Sequence, residues 1–560
     1  QWYTRRHVGE YTMPFSTFRN IQTDYYITTC TNLTPLKLHG ALSHFQHQKP
    51  YMEFSAASLV LSVLVVAVVA VGGRVLNWVW FRPKRLEKRL REQGFSGRPY
   101  RILFGDLKDN GEMVRKAKSS PISISDDILP RVAPLLHRTV QTYGKESFIW
   151  AGPVPRVNIM EPELVRDVLT RNYEILKPKT NPLIKLLASG LANYEGEKWA
   201  KHRRIINPAF HLEKLKVMVP VFRESCNGMI SKWEQSTAEK GSCEVDVWPH
   251  LQELTCDIIS RTAFGSSYEE GQRIFDLLKE LAVLTIQVIQ FVYIPGWRFL
   301  PTKTNKRMKQ IDREIRTSLR SIIDKKEKAM RAGEEKTDDL LGILLSSNHT
   351  ESDGMSIDDV IEECKLFYFA GQETTSTLLV WTMIMLAKHQ DWQERAREEV
   401  LEVFGDNVPD FDGLNRLKIM TMIVNEVFRL YPPVVLLNRA AHRDVKLGNV
   451  VIPAGAMISL PTILVHQDPK SWGEDASEFN PERFSGGISK ATTKQVSFFP
   501  FGWGPRICIG QNFALVEAKL ALAMILQRFS FELSPSYVHA PCTSITLQPQ
   551  HGALITLKKL

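Results

Sequence analysis

Phe501-Gly502-Trp503-Gly504-Pro505-Arg506-Ile507-Cys508-Ile509-Gly510 is a stretch that no regular helix can absorb, since it holds three glycines and a proline in ten residues. Such a loop lets backbone amides approach Cys508 closely, and amides aimed at sulfur, together with Arg506, would stabilise a thiolate. The apolar run Phe513-Ala514-Leu515-Val516 then starts another helix, whose positive N-terminal end adds to the effect. Read alone, the stretch fits a redox-active cysteine and a structural loop equally well.

Working outward, the body of the chain reads as helix-rich, without repeats or long low-complexity tracts. From Pro432 to Pro461, Val and Ile runs punctuated by Gly448-Asn449 and Pro453-Ala454-Gly455 predict short strands and turns. A helix from about Leu414 to Leu430 is stopped by Pro432-Pro433, and Glu426 and Arg429 share one of its faces. Such a pair is ordinarily a solvated ion pair. Another helix follows Asp391 and ends near Gly405. The clearest helix runs from Ser356 to Gln390, where Ser356 and Asp359 suit a capping box; it would be about 50 Å long. Its middle, Ala370-Gly371-Gln372-Glu373-Thr374-Thr375, is a poor helix former. That implies either a packing kink or an opened groove presenting a hydroxyl and a carboxylate to a buried site.

The whole chain has 560 residues, 44% of them hydrophobic, enough for a large core. No linker is evident after residue 100, so one large domain at 101–560 is expected. Phe54 to Gly73 carries no charge and has the about 20 residues needed to span a bilayer. The aromatic cluster Trp78, Trp80 and Phe81 and the basic run Arg82 to Arg91 follow, which places the C-terminal side in the cytosol. The expected layout is an atypical extension at 1–51, a transmembrane anchor at 52–81 and a basic linker at 82–100. Met52 is expected to be the natural start, with residues 1–51 translated from upstream sequence. Asn32-Leu33-Thr34 and Asn348-His349-Thr350 match the glycosylation pattern, the second on the cytosolic side where it would be silent.

The formal net charge of +10 permits nucleic acid, anionic lipid or an acidic protein partner. Neither zinc-finger spacing nor an RNA-binding signature supports the first, so no nucleic acid is expected. The seven cysteines are scattered and odd in number, which argues against a disulfide scaffold or a zinc site. Six of them, Cys508 apart, are expected to be small hydrophobic residues in the interior.

Phe501, Gly504, Arg506, Cys508 and Gly510 match every fixed position of the Phe-x-x-Gly-x-Arg-x-Cys-x-Gly haem loop, and the stretch resembles that of the cytochrome P-450 superfamily. Glu426-Val427-Phe428-Arg429 and Pro481-Glu482-Arg483-Phe484 resemble the family's Glu-x-x-Arg helix and Pro-Glu-Arg-Phe segment. Ala370 to Thr375 resembles its oxygen-activation motif, and Trp199-Ala200-Lys201-His202-Arg203 its Trp-x-x-x-Arg motif. The similarity covers roughly residues 75–560. Longer stretches, Trp199 to Phe210, Lys365 to Thr375 and Val496 to Phe501, are similar to the plant secologanin-synthase-type branch, the seventy-two clan. Two departures stand out: the extension before Met52, and a thin proline hinge of Pro83 and Pro99 only.

The resemblance implies a mainly α fold with a minor β subdomain, preceded by one transmembrane helix. It implies haem b (iron protoporphyrin IX) with Cys508 as the axial iron ligand, dioxygen as co-substrate, and NADPH acting indirectly through a flavoprotein reductase. Trp199, Arg203, Arg439 and Arg506 would hold the haem propionates by charge-assisted hydrogen bonds. Glu426, Arg429 and Arg483 would form a structural network. Thr374 would serve at the oxygen site and Glu373 would relay protons. Lys198, Lys201 and Arg204 could belong to a reductase-docking face or to a solvated helix face. The substrate implied is a hydrophobic plant terpenoid: a triterpenoid, an iridoid or a gibberellin-like diterpenoid. The pocket is expected from the stretch before Trp199, residues 275–300, and Val434 to Leu437. The location implied is the endoplasmic reticulum membrane, single-pass, with the domain facing the cytosol. Two other classes stay open, a haem-thiolate isomerase or dehydratase and a non-catalytic haem sensor; Glu373-Thr374 weighs against the first.

Overall fold

A computed structural model describes residues 56–179, 181–333, 339–348, 354–492 and 496–560. The expectations for residues 1–51 and Met52, and most of both glycosylation patterns, lie outside the described residues. The chain divides into two compact units, residues 1–67 and 68–560. Helix Ala56–Leu76 is long and apolar enough to cross a membrane and buries none of its residues.

Within the larger unit the fold is mainly helical with small sheets. Its axis is the helix Ile357–Lys388. Ser356 caps it, its Oγ accepting the Asp359 amide at 3.1 Å. Every residue from Thr375 to Ala387 is buried, so this helix is enclosed by others on all sides rather than amphipathic. Helix Lys303–Ala332 is the contrasting case: Met308, Ile311, Ile315, Leu319 and Ile323 form one buried stripe on an otherwise charged rod.

The suspected opening of the long helix is corrected by the structure, which shows unbroken α-helix through Gly371 and Thr374. The hydroxyls of Thr374, Ser376 and Thr377 donate back to the carbonyls of Ala370, Gln372 and Glu373, each at 2.8 Å. Gly371 serves packing: a Cβ there would lie 2.8 Å from the Ile259 side chain of helix Val247–Phe264.

The largest sheet has six strands in the order Ser96–Gly97, Ser147–Ala151, Val154–Asn158, Met457–Leu460, Leu437–Ala441 and Ile175–Leu176. Arg439 lies on the fifth, opposite Ile458. A hairpin pairs Pro541–Thr543 with Leu547–Pro549. Residues 82–100, read from sequence as a basic linker, are built into this unit. Helix Arg82–Glu92 buries Pro83, Leu86, Glu87 and Leu90, and Ser96 and Gly97 pair with Ser147 and Phe148. The helix expected from Leu414 starts at Lys418, after a separate short turn at Phe411–Leu414.

Candidate functional site

The Cys508 loop is shaped by its glycines and held by its backbone. Gly502 and Gly504 adopt φ of +75° and +70°, the left-handed region that glycine enters without strain. A Cβ on Gly504 would come within 2.8 Å of the Leu169 carbonyl, so the position needs glycine twice over. The Cys508 amide donates to the Phe501 carbonyl at 2.9 Å, and Ile507 closes a turn onto Gly504 at 3.1 Å. Helix Gln511–Arg528 begins immediately after Gly510. The Phe501 ring stands edge-on to Phe428 of helix Lys418–Leu430, 4.9 Å between centroids.

Cys508 is exposed although it lies deep in the molecule, so its sulfur borders an interior space. Cys226, Cys256, Cys364 and Cys542 are buried and Cys243 half-buried, as small hydrophobic side chains should be. Burial raises the Cys508 thiol, opposed by the Gly510 amide and the Arg203 guanidinium. The sequence reading assigned this charge to Arg506; the structure gives it to Arg203, which also donates to the Ile507 carbonyl at 2.8 Å. Arg506 turns away. It pairs with Glu195, donates to the Tyr194 carbonyl at 2.7 Å, and lies 4.3 Å over the Trp199 ring.

Arg203, Arg506, Arg439 and Lys177 form a succession of mutually repelling cations. Arg203 acts on Arg506, Arg506 acts on Arg439, and both Arg439 and Arg506 act on Lys177. Burial, reinforced by these neighbours, lowers Lys177 to about 7 and Arg439 to about 10. Glu195 is the carboxylate set against all but Arg203, and Arg506 Nη1 is buried with no hydrogen-bond partner among the described residues. Such an arrangement is unfavourable without further negative charge. A group carrying two carboxylates and an iron atom that accepts a thiolate meets both demands. The residues present therefore fit haem. Lys177 carried no sequence signal: it belongs to no motif, and the chain fold alone brings it beside Arg439.

On the long helix, Glu373 is buried and its Oε1 accepts the Thr546 hydroxyl at 2.6 Å and the Gln548 side-chain amide. Burial raises its carboxyl, with Thr546, Gln548 and Lys279 acting in the opposite direction. Thr374, next along the helix, keeps its hydroxyl on the Ala370 carbonyl.

Glu426 and Arg429 are wholly buried and joined by two hydrogen bonds of 2.7 Å, so the solvated reading of this pair does not apply. Arg429 also donates to the carbonyls of His466, Ala476 and Glu478. Arg483 Nε stands 3.6 Å from Glu426 and the same guanidinium pairs with Asp475. His466, unnoticed in the sequence, links this network to the cysteine loop. Its Nε2 accepts the Phe499 amide at 3.0 Å and its Nδ1 donates to the Phe428 carbonyl at 3.3 Å. Burial lowers it to about 3, which keeps the ring neutral and able to do both.

Of the surface residues, Lys198 pairs with Asp359 at 2.6 Å and Lys201 donates to the Gly354 carbonyl at 2.7 Å, so both are engaged within the fold. In the later part of segment 275–300, Phe291, Trp297 and Phe299 are exposed.

Comparison with known proteins supplies the remaining evidence. The profile of the family described as "Cytochrome P450" matches residues 132–555. "Cytochrome P450 72A397" of Kalopanax septemlobus is 61% identical over 494 residues, covering 87% of this chain and 95% of the relative. "Secologanin synthase 1" of Catharanthus roseus is 55% identical over 511 residues, covering 90% and 98%. Among solved structures, "Retinoic acid bound cyanobacterial CYP120A1" superposes with a TM-score of 0.67 at 24% identity, covering 76% of this chain and 94% of the other, and so shares its fold.

Proposed function

The chain belongs to the cytochrome P450 family of monooxygenases, and from that premise we propose that it oxidises a hydrophobic plant terpenoid, with Cys508 as the residue whose sulfur would bind haem iron. The electrons come from NADPH through a membrane-bound flavoprotein reductase. The single observation carrying the site assignment is Cys508 opening onto interior space within reach of the Arg203 charge, with Arg506, Arg439 and Lys177 following.

Haem, when bound, supplies the activation of dioxygen. Trp199, Arg203, Arg439 and Arg506 would hold its carboxylates, and Lys177 would join them. Phe501, Gly504 and Gly510 shape the loop that presents the sulfur. Glu426, Arg429 and Arg483 fix the adjoining chain. Glu373 would take protons from the solvent side, and the Thr374 hydroxyl, which donates to the Ala370 carbonyl, would serve at the oxygen site. The terpenoid class is supported by the likeness to secologanin synthase 1 across 98% of that enzyme's length. Helix Ala56–Leu76 anchors the enzyme in the endoplasmic reticulum membrane, with the following aromatic and basic residues at the cytosolic side. Microsomes carrying the protein and a plant reductase, offered triterpenoids, iridoid glycosides and diterpenoid acids with NADPH, should yield one hydroxylated or further oxidised product class. Turnover persisting without NADPH, or none in any class, would remove the reading.

A further inference from the structure

Beside the long helix, a C-terminal hairpin presents Gln548 of its second strand, Leu547–Pro549, and Thr546, the residue just before that strand. Both donate to the same atom, Glu373 Oε1. They are tied to each other as well, Gln548 Nε2 lying 3.2 Å from Thr546 Oγ1. The hairpin cannot drift from the helix. Trp381 Nε1 donates to the Leu547 carbonyl at 2.6 Å, and the Leu547 amide donates to the Pro433 carbonyl at 3.1 Å. Thr377 Oγ1 adds a contact at 3.2 Å to Thr546.

We propose that Thr546 and Gln548 are positioning residues for proton transfer, holding the Glu373 carboxylate in one orientation and in its ionised, proton-accepting form. The inference deepens the reading of Glu373 as a proton relay and rests on it. A buried carboxyl with no donors keeps its proton and rotates freely; one fixed by a hydroxyl and an amide gives the ionised form two partners that the neutral form uses poorly. Of the other groups acting on Glu373, Lys279 of helix Tyr268–Ile289 favours the charge, while Cys256 of helix Val247–Phe264 faces it as a neutral thiol. The hairpin is therefore the chief local means of keeping this acid ready to receive a proton. The Thr546 hydroxyl can also reverse its bond when Glu373 is protonated, so the hold survives both states.

The test uses the full chain. The carboxyl stretch of Glu373, identified by its loss in Glu373→Gln, is titrated by infrared difference spectroscopy in the parent, Thr546→Val, Gln548→Leu, the double variant and Thr546→Ser. NADPH-driven peroxide release is measured on the same preparations loaded with haem. The midpoint should rise by about one pH unit, a tenfold change in proton affinity, in Thr546→Val and in Gln548→Leu, and further in the double variant. The peroxide share of the electrons should rise with it, while Thr546→Ser matches the parent. An unshifted midpoint in the double variant, with thermal stability retained, overturns the proposal. Normal coupling in Glu373→Gln overturns it through its premise, and the two failures differ because the second leaves the midpoint shift in place.

Discussion

Replacing sulfur by oxygen at Cys508 separates iron ligation from loop shape, because the loop is held through backbone groups of Phe501, Gly504 and Cys508 itself. Cys508→Ser should leave the fold intact and abolish the thiolate-type absorption of the reduced carbonyl complex; persistence of that band would reassign the ligand. A second single-residue prediction concerns Glu517, fully enclosed on helix Gln511–Arg528. Burial raises it well above the ordinary carboxylate range, only partly offset by the Thr375 hydroxyl. Below that range both folded and unfolded states hold the proton. Above it the unfolded state ionises first, so stability falls by about 1.4 kcal/mol per pH unit until the folded group also titrates. Glu517→Gln should erase that slope, gaining on the parent as the pH rises above the ordinary carboxylate range in denaturant titrations; parallel curves would exclude a protonated Glu517. At this scale the sequence is legible where chemistry is packed into a short window, as around Cys508. It is silent where partners are distant: Thr546 meets Glu373 from 173 positions away, and nothing local marks Lys177 or His466.

At the scale of elements, the buried Glu426–Arg429 pair shows what spacing alone leaves open. Three positions apart on a helix gives the pair, but only the surrounding segments decide whether water reaches it. Here they do not admit it, and Glu426→Ala would strand a buried guanidinium at a cost of about 3–5 kcal/mol. The expected result is a large fall in thermal stability and haem content, much greater than for Arg395→Ala, whose ion pair with Glu482 is half exposed. Equal effects would mean that burial does not govern the pair. The long helix teaches the converse. Its limits followed from the Ser356 cap and the lack of an interrupting proline, while the weak propensities of Gly371 and Thr374 suggested a kink or an opening that tertiary packing overrides. Ile259 supplies that packing, from a residue no pattern in the long helix could name.

For the molecule as a whole, the boundary between anchor and body is the main difference from the sequence-based layout. Lys and Arg dominate residues 82–91, which reads as a solvated tether, yet Leu86 and Leu90 point inward and are buried. The arginines lie on more exposed faces: Arg89 pairs with Asp444, and Arg91 with the buried Glu87. Deleting the chain through Leu76 should therefore release a folded, haem-binding protein into the soluble fraction. Deleting through Gly94 should cost roughly 1.5–3 kcal/mol for each of the two leucines lost from the core and lower the melting temperature, as a comparison by circular dichroism would show. Matching melting curves would restore the tether description.

Arg429 gathers the carbonyls of His466, Ala476 and Glu478, and its guanidinium lies 5.2 Å over the Trp472 ring. All of these contacts join protein groups to one another, so the wall behind the cysteine loop is a structural element in its own right. The near-ultraviolet signal of Trp472 is therefore a direct gauge of whether that wall is intact, independent of any assay of turnover.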